Sequence, residues 1–380
     1  MTILNYTEDH HRFRERFEKF CKEELTPFVD QWEAEHIVPK SKWKQMGENG
    51  FLCTEVPKEY GGPGGDFLHS VIIAEELVKT EHMGIMAPLH SDIVVPYIST
   101  FGSEEIKHKY LPGCASGDCI SAIAMTEPGA GSDVASMEMT AVEDGDDVVI
   151  NGSKTFISNG VNCDIVIVAA KDPSISNPHK AISLYLIEDG TKGFEHDKKL
   201  EKMGMHSQDT AELFFTDCRI PKSNIIGEKG NGFIQLMQKL QQERLVCSIQ
   251  AIAGVEHVLE KTVNYFRNSD AAVGSIKAEQ AVQFELAEMT AESRILRAFI
   301  DQLILGHMNK ENVIIETSIA KYRTSEALNS IINRCLGFSG DYGLSEKNTL
   351  VRMARDARVQ TIYAGTNEVM KSIIAKSLGL

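Results

Sequence analysis

The sequence predicts an α+β protein in three parts: a helical domain over residues 1–120, a β-barrel or β-sandwich domain over 121–228, and a second helical domain over 229–380. Two changes of period predict it. Apolar residues recur three and four apart up to about residue 120, give way to short β-type runs as far as about 225, and resume helical spacing from about 230. A third observation is length, since 380 residues suffice for two or three domains of ordinary size.

Each zone has its own markers. In the first, an amphipathic run extends from Arg12 to Leu25. The stretch from Phe67 to Val78 sets its apolar residues on one helical face, with Glu75 and Glu76 off it. The break Gly61-Gly62-Pro63-Gly64-Gly65 reads as a loop. In the second zone Val148–Ile150, Asp164–Val168, Ile182–Ile187 and Leu213–Phe215 are β-branched or aromatic-rich and separated by turn residues. Among these Asn151-Gly152 signals a hairpin. Gly230-Asn231-Gly232 opens the third zone, and a long helix is expected from near Phe233.

Composition excludes several classes of function. Hydrophobic residues make up 42% and charged residues 24%, as in ordinary globular proteins. No stretch approaches the roughly 18 uninterrupted apolar residues of a membrane span. The start, Met1 to Tyr6, lacks the layout of a signal or transit peptide, so a cytoplasmic location is expected. A net charge of −15 disfavours nucleic acid as a partner. The eight cysteines form no C-x-x-C pair and the twelve histidines no i, i+4 pair, so no metal is expected. His10-His11 reads as a surface dipeptide. There is no phosphate-binding G-x-x-x-x-G-K-[ST] loop, no G-x-G-x-x-G turn after a strand, no H-E-x-x-H and no G-x-S-x-G.

Three places carry chemistry. Met125-Thr126-Glu127-Pro128-Gly129-Ala130-Gly131-Ser132-Asp133 builds a tight turn that exposes backbone N–H groups and two hydroxyls. It is either a ligand-facing loop or a surface turn before a strand. Lys154-Thr155-Phe156-Ile157-Ser158-Asn159-Gly160 sets Phe156 and Ser158 on one face of a strand, as a wall for a flat ring or as a half-buried strand edge. Glu243 shares the stripe of Leu236, Leu240, Cys247, Gly254 and Val258 on the long helix. A carboxylate on an apolar face is costly unless paired or used. It is therefore either paired to a cation from another helix or a desolvated base with a raised pKa. Arg244 projects about 100° away from it, one residue along a helix. In the first zone His90 and Ser91 read as helix core.

These segments, taken in order, resemble the acyl-CoA dehydrogenase family over essentially the whole chain. Residues 123–134 resemble its flavin and CoA signature, and Arg355 to Glu368 its second signature. Lys154–Gly160 and Asp209–Phe215 match further blocks. The resemblance implies a helical domain, a central β-domain and a C-terminal four-helix-bundle domain, usually in a homotetramer (a dimer being the smaller assembly expected), and FAD as cofactor. It implies that Met125 and Thr126 contact the flavin, that Phe156 stands where Trp is usual beside it, and that Ser158 approaches its reactive edge. It also implies Thr366 and Glu368 near FAD, and Ser132 and Arg244 on the substrate.

Short- and medium-chain members carry a catalytic Glu directly before the Gly-Thr of the second signature, where this chain has Ala364. Long-chain and isovaleryl types carry it on the helix at the position of Glu243, and Gln241-Gln242-Glu243-Arg244-Leu245 resembles the long-chain type. The implied reaction is dehydrogenation of an acyl-CoA to the trans-2-enoyl-CoA in fatty acid metabolism. Glu243 takes the α-proton, hydride passes from the β-carbon to flavin N5, and the Ala364 backbone N–H holds the thioester carbonyl. Electrons would pass on to an electron-transferring flavoprotein. Two alternatives are a dehydrogenase or oxidase of acyl- or aminoacyl-carrier-protein thioesters, and a non-catalytic partner subunit of a paralogous enzyme. The chain departs from the family at Ser269-Asp270-Ala271-Ala272-Val273, which lacks the Arg and Phe of an FAD-pyrophosphate contact. It departs again at Gly337-Phe338-Ser339-Gly340-Asp341, in place of Gln-Leu-His-Gly-Gly.

Overall fold

The computed structural model describes residues 3–197, 199–268 and 278–380. Six helices come first: α1 (Glu8–Phe20), α2 (Val29–Glu35), α3 (Lys40–Glu48), α4 (Phe67–Val78), α5 (Val95–Phe101) and α6 (Glu104–Ser116). Strands β1 (Ser121–Ala124), β2 (Thr140–Asp144), β3 (Asp147–Ser158), β4 (Ile165–Lys171), β5 (Ile182–Glu188), β6 (Phe194–His196) and β7 (Thr210–Pro221) follow, with the short α7 (Pro178–Ala181) before β5. Then come α8 (Gly232–Asn268), α9 (Gln280–Met308), α10 (Ile314–Gly337), α11 (Thr349–Ala357) and α12 (Asn367–Ser377).

The strands form one curled seven-stranded sheet in the order β1-β4-β2-β3-β7-β6, with β5 paired to β4. β4 and β5 are buried on both faces, which is why their sequences read as continuous apolar runs. Ile165, Ile167, Leu184 and Leu186 face the N-terminal helices, while Val166, Val168, Tyr185 and Ile187 fill the inside of the curl. The expected hairpin at Asn151-Gly152 does not exist. β3 runs through it, and the β2–β3 turn lies at Asp144–Asp147 around Gly145, whose φ is 62°. Gly152 serves instead as a bulge with φ 142°, where a Cβ would lie 2.9 Å from Met139 Cγ.

In the C-terminal part α8, α9, α10 and α12 pack together, and α8 also packs against α4. That double contact exceeds the single-stripe expectation, because every residue from Glu243 to Val255 is buried. Charge ties the helices across the interface. Glu75 on α4 accepts from Arg14 of α1 at 2.8 Å and from Arg297 of α9 at 2.8 Å. The loop from Lys199 to Asp209 is a junction of all three parts. Met205 N–H donates to Asp356 at 2.5 Å, Ser207 N–H donates to Glu33 at 3.1 Å, and Gly204 lies so close to the Arg355 backbone that a Cβ would sit 2.5 Å from it.

His10 is a correction to the surface reading, being 5% exposed. Its Nδ1 accepts the Thr7 N–H at 3.0 Å as half of a capping box that starts α1, and its Nε2 lies 2.9 Å from Asp66 Oδ1. His90 and Ser91 lie in the helical core: His90 bonds the Ser121 N–H at 3.1 Å, and Ser91 Oγ accepts the Cys53 N–H at 2.9 Å. Among the described residues no helix is long and apolar enough to cross a membrane.

Candidate active site

Glu243 sits on the enclosed middle of α8, 8% exposed, and among the described residues its Oε2 meets no hydrogen-bond partner. Burial pushes its carboxyl up to about 7, against the opposing pull of the Arg244 and Lys321 charges. The adjacent cation is engaged elsewhere, since Arg244 Nη1 donates to Ser318 Oγ at 3.3 Å and its Nε is unpartnered. Two further buried polar atoms without partners are the Tyr97 and Tyr363 hydroxyls. Burial raises both phenols, the first next to Glu243 and the second next to the Cys247 thiol, one turn further along α8. Buried polar groups are nearly always satisfied, so the unpartnered Glu243 and Arg244 atoms on α8 are candidates for contact with a ligand.

The turn before α12 faces the same place. Ala364 has φ 55° and Gly365 φ 91°. A Cβ at Gly365 would lie 4.0 Å from Arg244 Nη2, which sets the guanidinium beside the turn. Among the described residues no acceptor meets the Ala364 N–H. Thr366 caps α12, its hydroxyl accepting the Val369 N–H at 3.2 Å. Glu368 is exposed in the first turn of α12, and its own backbone N–H and the Thr366 hydroxyl hold its carboxyl below the ordinary value.

A second group lies on the sheet. Met125 O accepts from Lys154 Nζ at 2.9 Å and Thr126 O from the Thr155 N–H at 2.9 Å, so the loop is sewn to β3. Glu127 pairs with Lys154 at 2.8 Å inside the domain and also accepts the Glu138 and Met139 N–H groups, at 2.6 and 3.1 Å. The strand slips register between Lys154 and Ile157. Lys154 and Thr155 are therefore both buried, while Phe156, at φ 59°, is turned out and left 69% exposed. Ser158 is half-buried, and Ser132 is exposed in the open loop. Among the described residues the Thr126, Ser132 and Ser158 hydroxyls have no hydrogen-bond partner.

The expected residues thus form two sets. Glu243, Arg244, Ala364 and Thr366 surround one place, with Glu368 at its exposed rim; Met125, Thr126, Ser132, Phe156 and Ser158 lie on the sheet. The Met205–Asp356 hydrogen bond joins the loop between β6 and β7 to the end of α11, the helix that precedes the Ala364 turn. Gly337, Gly340 and Asp341 are exposed. Ser269–Val273 lie outside the described residues. Sequence reasoning missed Tyr97, Tyr363 and Lys321. Tyr97 lies in the apolar run Ile93–Ile98 and Lys321 among ordinary helical residues, so neither stands out in the sequence, although Lys321 is 1% exposed.

The described residues also hold a group of metal-ligand type, His10, Asp66 and His69, with ligand atoms within 4.8 Å of one another. The Nδ1 lone pairs of both histidines are already used, accepting the Thr7 N–H at 3.0 Å and the Asp66 N–H at 3.2 Å. A metal there would compete with two helix caps.

The three-part helix–sheet–helix chain matches the domains of one oxidoreductase family in order. Acyl-CoA dehydrogenase family models match in order: the N-terminal domain over residues 7–118, the middle domain over 122–218 and the C-terminal domain over 230–379. The chain belongs to the acyl-CoA dehydrogenase family.

Among curated relatives it is 41% identical over 374 residues to the mitochondrial long-chain specific acyl-CoA dehydrogenase of Rattus norvegicus, covering 98% of this chain and 87% of that one. Among solved structures it is similar to the acyl-CoA dehydrogenase of Geobacillus kaustophilus, with a TM-score of 0.97, 47% identity and 100% of each chain covered. It is also similar to a chain in the structure of the electron transferring flavoprotein of Acidaminococcus fermentans. There the TM-score is 0.93 and the identity 33%, over 100% of this chain and 99% of that one.

Proposed function

We propose that this enzyme dehydrogenates an acyl-CoA thioester between its α and β carbons, giving the trans-2-enoyl-CoA, with Glu243 as base and FAD as cofactor. The observation that carries the reading is the buried Glu243 carboxyl, whose Oε2 has no partner among the described residues, on the helix whose next residue, Arg244, reaches the Ala364–Gly365 turn. A proton acceptor with a pKa near neutrality suits abstraction of a weakly acidic proton. Similarity to long-chain specific relatives agrees with the position of the base.

The residues present fit a flavin. Phe156 offers an exposed ring face, and among the described residues the Thr126 and Ser158 hydroxyls have no partner. Met125, Thr126, Phe156 and Ser158 on the sheet, with Thr366 and Glu368 at α12, would hold it. When bound, FAD supplies the acceptor for the β-hydrogen and its electron pair.

The protein's own tasks follow from the geometry. The Ala364 N–H donates to the thioester carbonyl and stabilises the charge that grows on oxygen as the α-proton leaves. Glu243 receives that proton on a side chain already stripped of water, so little solvent must be reorganised. Ser132 and Arg244 bind the substrate. An electron-transferring flavoprotein is the proposed acceptor, supported by the structural similarity above. A homotetramer or dimer is proposed as the working assembly, supported by the exposed Phe284 and Ile295 of α9, which are 59% and 70% exposed. Anaerobic titration of purified protein with saturated acyl-CoA thioesters of graded length tests the activity. Bleaching of the flavin band by at least one is expected, and a flavin that stays oxidised with all of them would overturn the proposal.

A further inference from the structure

Lys321 on α10 is 1% exposed. Its Nζ donates to Gly365 O at 2.6 Å and to Asn367 Oδ1 at 3.1 Å, and the Asn367 oxygen also accepts from Ser325 Oγ at 3.2 Å. One ammonium thus grips the chain on both sides of Thr366. The gripped turn needs holding, because Ala364 at φ 55° occupies a region that residues with a Cβ avoid.

An ammonium is a costly way to hold a turn, since a neutral amide would bond the same oxygens without a buried charge. The charge itself has a second neighbour in Glu243. From the elements around it, Glu243 is faced by Arg244 and Cys247 of α8, Lys321 of α10 and Tyr97 of α5. Lys321 in turn is faced by Cys247, Arg244 and Glu243 of α8 and Glu368 of α12. Burial draws the Lys321 ammonium down to about 8, so it is still largely charged at neutral pH.

We infer that Lys321 is a positioning residue for the dehydrogenation, fixing the Ala364–Gly365 peptide against the substrate carbonyl and supplying a buried positive charge that stabilises the Glu243 carboxylate. The inference rests on Glu243 being the base. Removing the charge makes the carboxylate harder to form, so the acidic limb of kcat/KM moves to higher pH. Loosening the peptide weakens a hydrogen bond that strengthens as charge develops, so kcat falls more than KM rises.

The test uses Lys321→Met, Lys321→Arg and Asn367→Asp in the FAD-loaded enzyme, with Glu243→Gln as reference. Lys321→Met should raise the acidic limb by on the order of half a pH unit or more and cut kcat about tenfold, while Lys321→Arg keeps the limb in place. The infrared carboxyl band that vanishes in Glu243→Gln gives the same titration without turnover, and should move upward in Lys321→Met. Asn367→Asp keeps the lysine but sets a carboxylate against it, so the band should move the same way in a fully folded protein. An unmoved band and limb in a folded Lys321→Met, or in Asn367→Asp if the methionine variant does not fold, overturns the inference. Normal flavin reduction by Glu243→Gln overturns the base assignment instead, so the two failures are distinguishable.

Discussion

Replacing Glu243 by glutamine keeps the shape of the side chain and removes its ability to take a proton. Burial raises the carboxyl from 4.5 to about 7, which corresponds to about 3 kcal/mol of carboxylate destabilisation in the folded state. The fold binds this proton more tightly than the unfolded chain does. Below pH 4.5 both states carry the proton and nothing is lost; as pH rises towards about 7 only the unfolded chain ionises, and the folded state loses stability until the full cost is present. Glutamine carries no such cost. Glu243→Gln should therefore exceed the wild type by up to about 3 kcal/mol at about pH 8, and by almost nothing at about pH 4.

Catalysis should move the opposite way, with flavin reduction by acyl-CoA slowed by about 10²- to 10⁴-fold, the usual contribution of a positioned general base. In the wild type only about one-tenth of the sites are ionised one pH unit below the pKa, so its rate should fall tenfold per unit on the acid side. The assays are chemical denaturation at the two pH values and anaerobic stopped-flow of the flavin band. Two results would refute the reasoning: reduction at the wild-type rate, or a stability difference that does not change with pH.

Three further outcomes follow from the sheet. Phe156→Ala should weaken FAD binding about tenfold, read by flavin fluorescence on reconstituting apoprotein, and an unchanged affinity would remove Phe156 from the cofactor wall. Lys154→Met leaves Glu127 buried without its cation and should cost about 3–5 kcal/mol by urea denaturation. Gly152→Ala combines a φ of 142° with a Cβ 2.9 Å from Met139 Cγ, and should lower stability by about 2 kcal/mol; a neutral result would mean that the bulge is not required.

Where one interaction dominated, the fold was legible in the chain. The apolar spacing from Phe67 to Val78 coincides with α4, and the β-branched runs fall on β3, β4, β5 and β7, the run from Asp164 starting one residue before β4. Asn151-Gly152 misled because glycine serves both tight turns and bulges, and the choice is made by Met139 on the neighbouring segment, which sequence spacing does not reveal. His10 misled for a similar reason. Its neighbours suggest a surface, but its two nitrogens are claimed by Thr7 and by Asp66, 56 residues away.

At the site, the sequence marked Glu243, the proposed base, and concealed what surrounds it. Glu243 stood out because an acid on an apolar stripe is a local anomaly, and Ala364 because the family places an acid there. Tyr97 and Lys321 broke no local rule. A tyrosine in an apolar run and a lysine on a helix are both ordinary, and only packing shows that one hydroxyl lacks a partner and one ammonium is buried. The distinction is physical. A carboxylate acts as a base at neutral pH only if desolvation raises its affinity for the proton without raising it so far that the group never ionises. α8 supplies the desolvation because its stretch from Glu243 to Val255 is buried throughout, which its own sequence half reveals. The counterweight comes from Arg244, which the sequence places next door, and from Lys321, which reaches in from α10. The smaller of the two charges that oppose the burial of Glu243 is therefore encoded nearly 80 residues away, where sequence spacing cannot register it.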